Sequence, residues 1–136
     1  MPIRRERSMS NSSPLSEYLV ISRGQWDSDA SREDIQAAID RFYAWHDRLV
    51  GEGRMRPGQR LAREGKVVSR QCVLDGPFAE AKEVVGGYWT ILAGSLDEAA
   101  AIAAQNPCLD HGLAFEIRPI DPARASAFAL TNETPT

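Results

Sequence analysis

Residues 75–90, DGPFAEAKEVVGGYWT, constrain this chain more tightly than any other stretch, because a tight turn, a charged loop and a glycine-led strand follow one another without a break. Asp75-Gly76-Pro77 concentrates turn chemistry. A carboxylate can accept backbone N–H groups two or three residues on, glycine tolerates unusual dihedrals, and proline fixes its own φ. The chain is expected to change direction here, with Pro77 opening a short helical turn that aims the Phe78 and Ala79 N–H groups at Asp75. Gly86-Gly87 then leads into Tyr88-Trp89-Thr90-Ile91-Leu92, an aromatic and β-branched run that reads as a buried strand, its glycines permitting close backbone approach. Both faces of that strand carry bulk, so it should lie between two covering layers.

The flanking segments supply the rest of a fold. Residues 1–16 carry Arg4, Arg5 and Arg7, then a Ser/Asn/Pro run too poor in apolar residues to bury anything, and read as a disordered tail rather than a signal peptide. Tyr18-Leu19-Val20-Ile21 is a first strand ending near Arg23-Gly24. Gln25 to Ala30 is a polar connection. Ser31, with Asp34 three residues on, caps a helix running to Gly51 or Gly53. Its residues Ile35, Ala38, Ile39, Phe42, Leu49 and Val50 share one face, Trp45 stands at that face's edge, and Asp47 turns toward solvent. Arg54 to Ala62 forms a second strand interrupted at Pro57-Gly58, as a bulge or edge strand would be. After Glu64-Gly65, Lys66 to Leu74 reads as one strand delivering Asp75 to an end of the sheet. Ser95 and Glu98 form a capping box for a second helix, Leu96 to Gln105, with Leu96, Ala99, Ala100 and Ala103 on one face. Asn106-Pro107 stops it, Asp110-His111-Gly112 is a loop, and Ala114 to Pro119 is the last strand. Residues 122–136 read as a C-terminal tail that starts with a short helix and frays.

The order is strand, helix, strand, strand, strand, helix, strand. This is an α+β chain of ferredoxin-like βαββαβ type with an elaborated middle hairpin, an antiparallel sheet with both helices on one face. The other face needs cover, and a second subunit, sheet to sheet, is the expected cover. With 136 residues there is room for one core, residues 17–121. Sixteen basic and 19 acidic residues give a net charge of −3, which suggests neither a nucleic-acid footprint nor a membrane-surface patch. Two cysteines, Cys72 and Cys108, offer neither metal-ligand spacing nor a disulfide framework, so a reduced, cytoplasmic setting is expected.

Candidate site residues follow from placement. His46 falls near the centre of the first helix's apolar face, where it reads either as a general base poised near neutral pH or as a core histidine. Asp75 reads either as the cap of its own turn or as a catalytic carboxylate, and the two are compatible. Arg56 and Arg118 read as anion holders or as outward strand arginines paired with acids, and His111 as a loop residue. Glu80 and Lys82 read as a solvated charge pair or as part of a lid.

DGPFAEAKE, GGYWTI, SLDEAAAIAAQNP and FEIRP together resemble the DGPF subgroup of YCII-related proteins, over about Tyr18 to Ile120. The resemblance implies a small bacterial protein of dimeric α+β barrel type, with Asp75, Gly76, Pro77 and Phe78 lining a cleft between the first helix and the sheet. For that family a site built from a histidine and an aspartate is proposed. The broader group's histidine falls near Phe42 here, and its later Asp-Pro is Asn106-Pro107. The site expected on this chain therefore has His46 and Asp75 as catalytic residues, with Arg56, Pro77, Phe78, Tyr88 and Arg118 as substrate-binding residues. It uses no metal and no cofactor. Proton abstraction with elimination or isomerisation, of lyase or isomerase type, suits such a set. The alternative is a non-catalytic ligand-binding or regulatory module, since DGPF proteins resemble companions of extracytoplasmic-function sigma factors.

Overall fold

The structure is a computed structural model that describes residues 14–71, 73–76 and 84–135. The expected turn residues Pro77 and Phe78, the loop pair Glu80 and Lys82, Cys72 and the first 13 residues lie outside the described residues. Strand β1 (Ser16–Arg23) alternates buried and half-exposed positions, as a strand with one covered face must. Helix α1 (Arg32–Gly51) begins where Ser31 Oγ accepts the Asp34 N–H at 3.0 Å. Glu52 caps its last turn, and the chain leaves the helix at Gly53, whose φ of +76° suits glycine. There Gly53 N–H donates to Val50 O and Arg54 N–H to Leu49 O, closing a Schellman motif that satisfies two carbonyls of the last turn.

Strand β2 (Met55–Arg60) pairs antiparallel with β5 (Val85–Ala93), β5 with β1, and β1 with β6 (Ala114–Pro119). The sheet order is β2-β5-β1-β6, with β5 and β1 in the centre. Two helices join this four-stranded antiparallel sheet, as the ferredoxin-like reading expects. Tyr18, Val20, Ile91 and Ala93 from the central strands form one buried cluster with Trp45 and Leu49 of α1 and with Ala99, Ile102 and Ala103 of α2 (Leu96–Ala103). Both helices therefore lie on one face. Each aliphatic side chain fully buried there contributes about 1.5–3 kcal/mol relative to exposure.

Strand β2 lies at the sheet edge and is bulged where the sequence suggested. Arg56 faces Thr90 and Gln59 faces Tyr88, so Pro57 and Gly58 together oppose Trp89 alone. Proline is tolerated on an edge strand because no ladder bond needs its missing N–H.

Three expectations are corrected. Lys66 to Leu74 is not one strand. It folds into a separate two-stranded ribbon, β3 (Gly65–Val68) against β4 (Val73–Gly76), with Val68 opposite Val73 and Lys66 opposite Asp75. The polar run Ser69-Arg70-Gln71 lies between the two strands; Asp75 and Gly76 end β4, and the rest of the expected turn lies outside the described residues. In α2 the covered edge is Ala99, Ile102 and Ala103, while Leu96 and Ala100 are exposed. A rotation of less than one residue's step, about 100°, separates that edge from the expected one, and it carries Ile102 inside and Leu96 out. Beyond β6, residues 120–135 form bends and turns with no helix among them.

Glycine at position 58 is dictated by contact. A Cβ there would stand 1.8 Å from Tyr88 O and 2.8 Å from Trp89 Cα. Gly58→Ala should lower the urea midpoint at the upper end of, or beyond, the about 1–3 kcal/mol that overpacking costs. Gly51→Ala, at a helix end with nothing within 4 Å, should leave it equal or raise it.

Candidate functional site

Between α1 and the β2–β5 edge of the sheet lies a cavity of about 260 Å³. From α1 it is lined by Ile39, Phe42, Tyr43, His46 and Asp47; from β5 by Gly86 to Trp89; and from β2 by Pro57 to Arg60. Ser22 of β1, Phe115 of β6, Trp26, Leu113 and Cys108 complete the wall. The space exists because β2 and β5 meet through glycines. At Gly87 a Cβ would come within 2.8 Å of Gln59 O, so the two strands close tightly with no side chains between them.

Aromatic rings form the inner wall. Phe42 and Trp89 stand 5.1 Å apart, and Trp89 and Phe115 5.6 Å apart, all tilted. His46 stands 5.5 Å from Phe42 and edge-on to Trp89 at 6.2 Å. These are favourable ring separations, which fix the walls beyond what area burial alone would do.

His46 is 7% exposed, yet it borders the cavity. Its Nδ1 is sealed and has no hydrogen-bond partner among the described residues; Asp47 Oδ1 lies 3.6 Å away, within ion-pair range but beyond a hydrogen bond. Nε2 is the ring nitrogen that is not sealed, and it has no hydrogen-bond partner among the described residues. Asp47 is turned outward as expected, at 79% side-chain exposure, but lies closer to His46 than its helical position suggested. Trp89 Nε1 and, in the core beside the cavity, Trp45 Nε1 are likewise sealed and without a partner among the described residues. Orphaned buried polar groups cost about 1–3 kcal/mol each, and such costs cluster at functional sites.

The other sequence candidates disperse. Tyr88 borders the cavity, but it alternates with Trp89 along β5 and its side chain is 40% exposed. Arg56 and Arg118 do not line the cavity; they belong to the sheet face opposite the helices. There Arg56 Nη1 donates to Glu17 Oε2 at 2.7 Å, and Arg118 Nη1 to Glu116 Oε2 at 3.2 Å. Glu116 also accepts from Arg23 Nε at 2.6 Å, and these two guanidinium hydrogen bonds hold its carboxyl below the usual carboxylate range. The backbone of Asp75 lies in β4 opposite Lys66, while its side chain is outside the described residues, as are Pro77 and Phe78. His111 ends a short 3₁₀ helix, Pro107–His111. Asn106, at the family's Asp-Pro position, caps that helix by accepting the Cys108 N–H at 2.8 Å.

Trp26 and Arg60 are among the wall residues that the sequence reading did not single out. Trp26 lay in a connection judged polar. Arg60 lies beyond the bulge, which turns it to the sheet face opposite that of Arg56. Among the described residues there is no group of three His, Cys, Asp or Glu that could hold a metal ion. No helix among them is long and apolar enough to cross a membrane.

Cys108 is buried, its Sγ 3.9 Å from Ala38 O, and burial pushes the thiol up to about 11 against a partial opposing effect of Arg41. The thiol is thus neutral in the cavity wall at ordinary pH. Because the folded value lies above the unfolded one, its contribution to stability is complete below the unfolded value and is lost as pH rises toward about 11. Denaturation midpoints should fall over that alkaline window in wild type and fall less in Cys108→Ala. In a Cys72→Ser background, labelling of the Cys108 thiol at pH 8 should require unfolding.

Residues 17–124 match the YCII-related domain. A protein of Rhizobium meliloti (strain 1021), described as uncharacterised, is 33% identical over 88 residues, covering 62% of this chain and 68% of that one. The matched span runs from the second residue of β1 past the end of β6 and takes in every cavity-lining residue, and the chain belongs to the YCII-related family.

Proposed function

We propose that this protein binds a small molecule in the α1–sheet cavity and acts on it by cofactor-free proton transfer. The observation that carries this reading is His46, nine-tenths buried, bordering a ligand-sized cavity and without a hydrogen-bond partner among the described residues. A neutral imidazole at the edge of an apolar space can take a proton from a bound molecule and return it elsewhere, which suits isomerisation or elimination. Asp75 is its proposed partner. In support, the chain that follows Asp75 rejoins the described residues at Val84 and reaches the cavity wall at Gly86. Pro77 and Phe78 belong to that connecting segment and would line the cleft with Tyr88.

A second reading is favoured by the sealed Nδ1. With no described carboxylate hydrogen-bonded to His46, the cavity serves equally as a non-catalytic binding pocket, in a cytoplasmic regulatory module working beside an extracytoplasmic-function sigma factor. An NMR pH titration of the His46 ring, with His111 as internal control, separates the two. Acid–base coupling requires His46 signals that move with pH and a midpoint that falls in Asp75→Asn, because removing a nearby carboxylate disfavours the imidazolium. A His46 ring indifferent to both would leave only the binding module.

The proposed assembly is a homodimer formed through the uncovered sheet face. Leu19, Ile21 and Leu92 sit there, framed by the ion-paired Arg56–Glu17 and Arg23–Glu116. On that face Arg56 and Arg118 serve subunit contact better than substrate. Sedimentation should give a dimer for wild type and a folded monomer for Leu19→Glu. An unchanged dimer in that variant would place the contact elsewhere.

A further inference from the structure

Arg60 is the positively charged residue bordering the cavity, and its side chain makes no ion pair or hydrogen bond among the described residues. Asp47, the cavity's carboxylate on the α1 side, has His46 beside it. An anionic group entering this space is attracted at Arg60 and repelled at Asp47, so charge alone fixes which way round it sits. The inner wall is made of aromatic faces and edges, Phe42, Trp89 and Phe115, at tilts of 55° between successive pairs. At about 260 Å³ the cavity exceeds the roughly 150 Å³ apolar space that holds benzene. It falls short of the roughly 300–1,000 Å³ typical of drug-sized ligands. One ring with a short substituent fits; a nucleotide or a fused polycycle does not.

We propose that the cavity is a site for a single-ring aromatic carboxylate, its ring against Phe42, Trp89 and Phe115 and its carboxylate held by Arg60. This rests on the reading that the cavity is the protein's binding site. It assigns that site a ligand class and an anchor. The carboxylate meets the planar donor fork of the guanidinium, which matches its two oxygens. The ring's edge then comes toward His46 Nε2, the ring nitrogen that is not sealed.

Titration of the full chain with benzoate, followed by the Trp89 indole and His46 ring signals in NMR spectra, tests this. Benzyl alcohol and cyclohexanecarboxylate serve as matched probes. Saturable shifts are expected with benzoate, with binding about tenfold or more weaker in Arg60→Gln, the loss appropriate to one charge-assisted pair. Arg60→Lys should recover part of the affinity, and Arg48→Gln, exposed on α1 and outside the cavity wall, should lose none. Benzyl alcohol should bind more weakly than benzoate and ignore Arg60→Gln. Cyclohexanecarboxylate should bind several-fold more weakly than benzoate for want of ring–ring contact. Equal binding of benzoate and benzyl alcohol, or an indifferent Arg60→Gln, would overturn the anion anchor while leaving a binding cavity. Equal binding of cyclohexanecarboxylate would overturn the aromatic assignment. If none of the three probes moves Trp89 or His46, the cavity is not a binding site and both readings fall.

Discussion

The close contact of Gly58 with the backbone of Tyr88 governs the functional half of this molecule. It lets two residues of β2, Pro57 and Gly58, stand against one residue of β5. Inserting one residue into a strand sends every later side chain to the opposite face. Without it, Arg60 would follow Arg56 onto the face opposite the helices. With it, Arg60 sits opposite Gly87 and borders the cavity. The same irregularity, at an edge strand whose proline needs no ladder partner, leaves β2 paired with β5 on both sides of the bulge.

What fills the space above that edge is aromatic instead of aliphatic. At the α2 end the core is closed by Ala99, Ile102 and Ala103 packed against β1 and β5. At the α1 end large rings meet at tilted angles, and tilted rings leave room between them where small aliphatics would interdigitate. Three buried polar atoms in that half, Trp45 Nε1, His46 Nδ1 and Trp89 Nε1, have no hydrogen-bond partner among the described residues. One half of the layer is thus built for stability, and the other bears costs that a ligand can offset. Cys108, held neutral by its burial, belongs to the wall and not to the chemistry.

Most of the fold was legible because its signals are local. Ser31 and Ser95 announced both helix starts, and the structure shows each hydroxyl accepting the N–H three residues on. Glu98 completes the second cap by accepting the Gly94 N–H, one residue before the cap itself. Pro57-Gly58 marked the bulge, and Phe115 and Ile117 marked the inner side of β6. His46 was placed on the covered face of α1 by helical periodicity alone. The part that was not legible depends on phase across an irregularity. Arg60 could have been found by carrying the bulge through, since alternation reverses beyond it. The β3–β4 ribbon was missed because Val67, Val68 and Val73 suggest one continuous strand, and only the polar triplet between them argues for a turn. Trp26 could not be assigned at all, because a loop residue's direction is set by what it packs on.

Pressurising crystals of the protein with xenon measures directly whether the space between α1 and the sheet is open and apolar. A xenon atom seated among Phe42, Trp89 and Phe115 is the expected result. No xenon at that position, with Phe42 closed onto Trp89 and the gap filled, would contradict a binding cavity and return His46 to the role of a core residue.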